Sequence, residues 1–88
     1  MDLNIEKAAN ALSDRHRLTI LQEVARNSNA ACGDFERLTG LSQPAVSHHV
    51  KILVDAGVLS YDKCGRQVQL SVNKDVMRHL SLFFQQLS

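Results

Sequence analysis

An 88-residue chain with 44% hydrophobic and 22% charged residues has the composition of one small globular domain, spanning residues 1–88. Ten basic against nine acidic side chains leave a net charge of +1, too weak alone to argue for a nucleic-acid partner. No apolar run approaches the ~20 residues of a membrane span, no signal-peptide pattern opens the chain, and two cysteines are too few for a disulfide framework, which fits a reducing cytoplasm.

Ile5, Ala8, Ala9 and Leu12 fall on one side of a predicted first helix over about residues 3–12. Ser13 or Asp14 caps a second, about 15–26, with Leu18, Leu21 and Val24 or Ala25 facing inward. Asn27-Ser28-Asn29 reads as a turn. A short third helix, about 31–39, buries Phe35 and Leu38; Gly40 stops it, and Leu41 can fold back onto Phe35. The fourth helix covers about 44–56. Its N-cap is Ser42 or Gln43, and Pro44 favours Gln43 by pushing that residue out of α geometry. Gly57 ends it.

This fourth helix has two unlike faces. Val46, Val50 and Leu53 form an apolar stripe, with His49 on its flank as a packing residue. Pro44, Ser47, His48, Lys51 and Asp55 form the opposite stripe. A merely solvated face would carry more Glu and Lys in i,i+4 pairs. Gln, Ser and His can instead read base edges in a major groove, while lysine meets phosphate. Two helices joined by the brief Gly40-Leu41-Ser42 break make a helix-turn-helix, with the second helix placed for that groove.

After Gly57 the apolar period changes from 3.6 to 2: Leu59 and Tyr61, then Val68, Leu70 and Val72, alternate with polar residues. A hairpin over about 58–72 follows, with Lys63-Cys64-Gly65-Arg66 as its loop. Such a wing can reach phosphate or the minor groove, where Lys63 and Arg66 supply positive charge. Residues 41–88 hold five basic and three acidic side chains against five and six in 1–40, a weak bias of the right sign. Asn73 caps a last helix, about 74–87, with Asp75 in its first turn. Val76, Leu80, Phe83 and Leu87 repeat at near-heptad spacing, Met77 and Phe84 widen the stripe, and Leu82 adds apolar surface elsewhere. A domain this small cannot bury all of it, so a second copy of the same helix is the simplest partner. The expected fold is mainly α with a small β-hairpin, a winged helix-turn-helix in the order α-α-α-α-β-β-α.

The run Ala11–Leu21, the longer run Gly40–Leu53, the segment Ala56-Gly57-Val58-Leu59 and the wing-like Gly65-Arg66-Gln67-Val68 together resemble the ArsR-type (ArsR/SmtB) family of small winged-helix repressors. The resemblance covers about residues 11–72 in motif and the whole chain in element order. It implies a homodimer, joined by first and last helices through Ile5, Leu12, Val76, Leu80, Phe83, Phe84 and Leu87. That dimer would bind an imperfect inverted repeat in double-stranded DNA and block transcription until a signal releases it. Carried over by position, Gln43, Ser47 and His48 resemble the family's base and backbone readers, with Ser42 and Lys51 on phosphate.

The family's metal sites match poorly. One needs Cys-x-Cys at the start of the third helix, where this chain has Ala31-Cys32-Gly33-Asp34. Another needs an acid and a histidine two apart on the last helix, where Asp75-Val76-Met77 lacks the histidine and His79 has no later companion. The four histidines are scattered, whereas zinc wants three or four converging donors, so no metal and no cofactor are expected. Cys32, near a helix N-terminus, is a candidate redox residue, and Cys64 at the wing tip a weaker one. The competing readings are a winged-helix module for protein–protein contact and a metal- or thiol-responsive sensor of the same family. No Gly-rich phosphate loop, based nucleophile or paired carboxylates point to an enzyme.

Overall fold

The computed structural model describes residues 4–27, 30, 32–65 and 67–88. Among them are helices α1 (Ile5–Ala11), α2 (Arg15–Arg26), α3 (Cys32–Thr39) and α4 (Gln43–Asp55), strands β1 (Leu59–Cys64) and β2 (Gln67–Val72), and helix α5 (Lys74–Gln86). The expected element order holds throughout.

Helix boundaries follow from capping chemistry. Asn4, Asp14, Ser42 and Asn73 are extended N-caps whose side chains accept amide hydrogen bonds from the first turns they open. Asp14, rather than Ser13, caps α2; Ser13 instead donates its hydroxyl to the Asn10 carbonyl at 2.6 Å. Ser42, rather than Gln43, caps α4, its Oγ accepting from the Ala45 amide at 3.4 Å. Proline disfavours helical geometry in the residue before it, yet Gln43 is the first helical residue with Pro44 second. The serine hydroxyl supplies a cap that a glutamine side chain is too long to form.

Phe35, Ile20, Leu53, Val46 and Val58 are the largest fully buried side chains, so α2, α3, α4 and the root of the wing share one core. Half-buried Ile5, Leu12, Leu21, Leu41, Val50 and Met77 pack around it. Several expected core positions are not there. Leu18 and Ala25 are exposed because Ile20 and Val24 take the inward face of α2, and Leu18 lies about 200° round the helix from Ile20. Leu38 on α3 and Ala9 on α1 are exposed as well, and Ala11 is buried in place of Ala9.

Gly40 at φ 74° lets the chain leave α3 and turn at once into α4, and Gly57 at φ 80° does the same between α4 and the wing. The Val58 amide bonds back to the Leu53 carbonyl and the Asn73 amide to the Val58 carbonyl, each at 3.0 Å. Both ends of the hairpin are thereby tied to the end of α4. The strands are antiparallel, with Leu59 opposite Val72, Tyr61 opposite Leu70 and Lys63 opposite Val68. Strand pairing runs to Cys64 and resumes at Gln67, so the loop is narrower than the four residues expected. Leu59 and Leu70 are buried at the root, while Tyr61 and Val68 stand 53% and 47% exposed where the wing rises off the core.

Candidate nucleic-acid interface

Burying Val46 and Leu53 against α2 and α3 fixes which side of α4 meets solvent. Ser42, Gln43, Pro44, Ser47, His48, Lys51 and Asp55 are all exposed on the other side. All five expected reading residues, Ser42 at the cap and Gln43, Ser47, His48 and Lys51 in the helix, are thus accessible to solvent. From Gln43 to Lys51 that face runs about 12 Å, the rise of eight helical residues. Among the described residues its one ion pair is Lys51 Nζ to Asp55 Oδ2, at 3.2 Å and exposed on both sides; such a pair contributes little to stability, but it tempers the lysine's positive field.

Lys63 is exposed near the end of β1. Arg66 lies outside the described residues, as do the side chains of Cys32 and Cys64. Between α4 and the wing runs an open groove of about 420 Å³, with Val50, Val54, Tyr61, Val68 and Leu70 as its apolar lining and Ser47, Lys51 and Asp55 at its polar edge. Tyr61 alternates with polar neighbours along β1, yet it is exposed in this groove because the wing lifts off the core, which alternation along a strand does not encode.

His49 is half-buried, as a packing residue should be, but its surroundings are polar. Arg17 Nη1 lies 3.2 Å from His49 Nδ1, while Arg17 Nε donates to the Ala11 carbonyl at 2.7 Å and Nη2 to the Asn10 carbonyl at 3.2 Å. Asp14 Oδ2 accepts from the His16 and Arg17 amides at 2.9 and 3.0 Å and stands 3.9 Å from His49 Nδ1. The rings of His16 and His48 flank His49, with centroids 5.8 and 5.9 Å away. Burial pushes the His49 imidazole below its ordinary pKa; Asp14 opposes that, and Arg17, His16 and His48 reinforce it. The Arg17 amide holds the Asp14 carboxyl below the usual carboxylate range, against partial burial, with smaller help from the His16 amide, His49 and Arg17 charge. Sequence reading missed Arg17. The available signal was the Asp14-x-x-Arg17 spacing, which sets a cation one turn after a cap.

On α5, Val76 and Leu80 are 2% and 3% exposed within the single chain. Both pack into the protomer's own core, and Leu80 also edges the groove beside Phe84. The α5 stripe splits: its inner edge packs at home, and its outer edge leaves Phe84 54% and Leu87 71% exposed, with Phe83 half-buried. Leu12, Met77, Leu80 and Phe84 line a groove of about 490 Å³ between the end of α1 and α5. Among the described residues no three His, Cys, Asp or Glu side chains come together as metal ligands would, and no helix is long and apolar enough to cross a membrane.

A helix-turn-helix whose second helix bares a polar face beside a two-stranded wing defines the winged helix-turn-helix class of DNA-binding domain. The helix-turn-helix domain family matches residues 12–61. The chain is 39% identical over 62 residues to a probable mercury resistance operon repressor of Streptomyces lividans, a match covering 70% of this chain and 49% of that protein. The chain therefore spans about half the length of that relative. It is 32% identical over 68 residues to the transcriptional repressor SdpR of Bacillus subtilis (strain 168), covering 77% of this chain and 74% of SdpR. Among solved structures it superposes on the homodimeric winged helix-turn-helix DNA-binding domain of Mb0332 from Mycobacterium bovis, a possible ArsR-family regulator. That superposition has a TM-score of 0.73 at 21% identity and covers 94% of this chain and 77% of the other. The chain belongs to the ArsR-type family of winged helix-turn-helix transcriptional regulators, whose matched members are repressors and not enzymes.

Proposed function

We infer that the protein is a cytoplasmic, homodimeric repressor that binds an inverted repeat in double-stranded DNA. The exposed polar face of α4, backed by the buried Val46–Leu53 stripe, carries this reading. Gln43 reads a base edge, with adenine as its natural bidentate partner. Ser47 and His48 contact bases or backbone, and Ser42 and Lys51 meet phosphate. The groove between α4 and the wing takes the sugar–phosphate strand that separates major from minor groove. Lys63, and Arg66 beyond the described residues, extend contact past it. Two protomers join through Ile5, Leu12, Phe83, Phe84 and Leu87, the apolar surface of α1 and α5 that one copy leaves open. No metal site of the family's usual kinds is proposed.

Selection of bound duplexes from a random pool tests this reading. The expected product is an inverted repeat with half-sites one helical turn, or a multiple, apart. Recovery of no enriched sequence beside a stable complex with another protein would replace it with the protein-contact module. A metal- or thiol-responsive sensor is the second reading, because one relative is named a mercury resistance operon repressor and Cys32 opens α3. Repeating the selection with mercuric ion, zinc, arsenite, oxidant and reductant decides between them; release by any one of these would establish the sensor.

A further inference from the structure

Arg17 is the one described side chain that hydrogen-bonds α1 and α4 at once. Its Nε and Nη2 hold the Ala11 and Asn10 carbonyls at the end of α1, and its Nη1 faces His49 Nδ1 on α4. A guanidinium has five donors in a rigid fork and no acceptor. For Nη1 to donate across the 3.2 Å to Nδ1, the His49 ring has to be neutral with its proton on Nε2. A cation at a helix C-terminus also suits carbonyls that have no partner within the helix. The residue after Ala11 is Leu12, which lines the groove with Met77 and Phe84. The residue before His49 is His48, on the reading face. One side chain thus joins the end of the apolar face to the middle of the reading helix.

We propose that Arg17 is the positioning residue that fixes the attitude of α4 relative to the α1–α5 face, and so the separation of the two reading helices in a dimer. This rests on the reading of the protein as a dimer on an inverted repeat. The groups facing His49 are Asp14, His16 and Arg17 from the start of α2 and His48 from its own helix. At the end of α1 the Ala11 carbonyl accepts from Arg17, and the Asn10 carbonyl accepts from Arg17 and from Ser13.

Two variants test it on the whole chain. R17K keeps the charge and loses the fork; H49N keeps an acceptor where Nδ1 stood. The DNA probes are the inverted repeat selected by the wild-type chain and a duplex carrying one of its half-sites. R17K is expected to lose about tenfold on the inverted repeat, the scale of one misaligned bidentate base contact, to change less than twofold on the single half-site, and to tolerate altered half-site spacing. H49N should behave as wild type. Equal loss on both probes, or none on either, would overturn the proposal. Long-range ¹H–¹⁵N spectra and residual dipolar couplings test it without DNA. An unprotonated Nδ1 on a neutral His49 ring, with a rotation of residues 43–55 against 5–11 in R17K, supports the clamp even if no inverted repeat is selected. A protonated Nδ1, or unchanged helix orientation in a folded R17K, overturns it. Thermal melting of each variant separates reorientation from unfolding.

Discussion

Gln43 and Lys51 lie on the same exposed face of α4 and should fail in different ways. On the proposed reading Gln43→Ala removes a base-edge contact that discriminates by about 1–3 kcal/mol, so selected sequences should become degenerate at one position per half-site while affinity for the best site falls modestly. On the same reading Lys51→Ala removes a phosphate contact. Binding should weaken alike on every sequence, and the slope of log affinity against log salt should flatten by about one per protomer. Parallel binding isotherms on two unrelated duplexes at several salt concentrations check both outcomes. The Asp14–His49 cluster predicts how stability follows pH. Both groups have folded-state pKa values below their ordinary ones. The unfolded chain therefore takes up protons first as pH falls, and acidification favours unfolding. The His49 contribution is complete above about 6.5, its unfolded value, and is lost as pH drops through its lower folded value. Asp14 contributes likewise above about 3.8–3.9 and is lost below that. Urea midpoints measured from pH 8 to pH 3 should fall in two stages, and a His49→Leu variant should lack the upper one.

At the scale of elements, the turn between α3 and α4 decides where the reading face points. Gly40 sits at φ 74° with open space where a Cβ would be. Gly40→Ala should therefore cost about 1–2 kcal/mol through backbone strain alone, with no clash to relieve. Gly33 in α3 also has open space around it but no positive φ. Gly33→Ala should stabilise by up to about 0.5–1 kcal/mol, because alanine loses less backbone freedom in a helix. Thermal melts of the two variants should move in opposite directions. Ser42 makes its Oγ contact to Ala45 at a long 3.4 Å, so Ser42→Ala should cost toward the low end of the usual ~0.5–2 kcal/mol for a lost cap. The wing is held at its root by Leu59 and Leu70 and by the backbone bonds of Val58. Its outer half, among the described residues, is held by strand pairing, and there Tyr61 and Val68 are solvent-facing despite sharing the apolar face with Leu59 and Leu70.

The molecule as a whole carries apolar surface that one copy does not cover. Phe84 in the last turn of α5 and Leu87 at its C-cap protrude, where no described element of the same chain covers them. Replacing Phe84 with Glu should leave the protomer's own core intact, since that core uses Val76 and Leu80, but should split the proposed dimer by placing a charge in its apolar interface. Sedimentation equilibrium should return the monomer mass for the variant, with an unchanged far-ultraviolet circular dichroism spectrum and affinity for the inverted repeat reduced to that for a half-site. A variant that stays dimeric would move the interface elsewhere.

The sequence by itself determined the element order, the caps at Asn73 and within one residue at α2 and α4, the glycine stops at 40 and 57, and the unlike faces of α4. These follow from local rules: side-chain oxygens that meet orphan amides, residues that tolerate positive φ, and periods of 3.6 or 2. Only the tertiary structure decided which of two available stripes on α2 went inside. Leu18, Leu21 and Ala25 offer nearly as good a stripe as Ile20 and Val24, and the choice depends on what α3 and α4 present. It also decided that Val76 and Leu80 belong to the protomer while Phe84 and Leu87 do not, because a helix pattern marks an apolar face without saying how wide a strip its own domain can cover. The Arg17–His49 contact spans 32 positions in the chain, and no local pattern announces a bond between residues that only folding brings together.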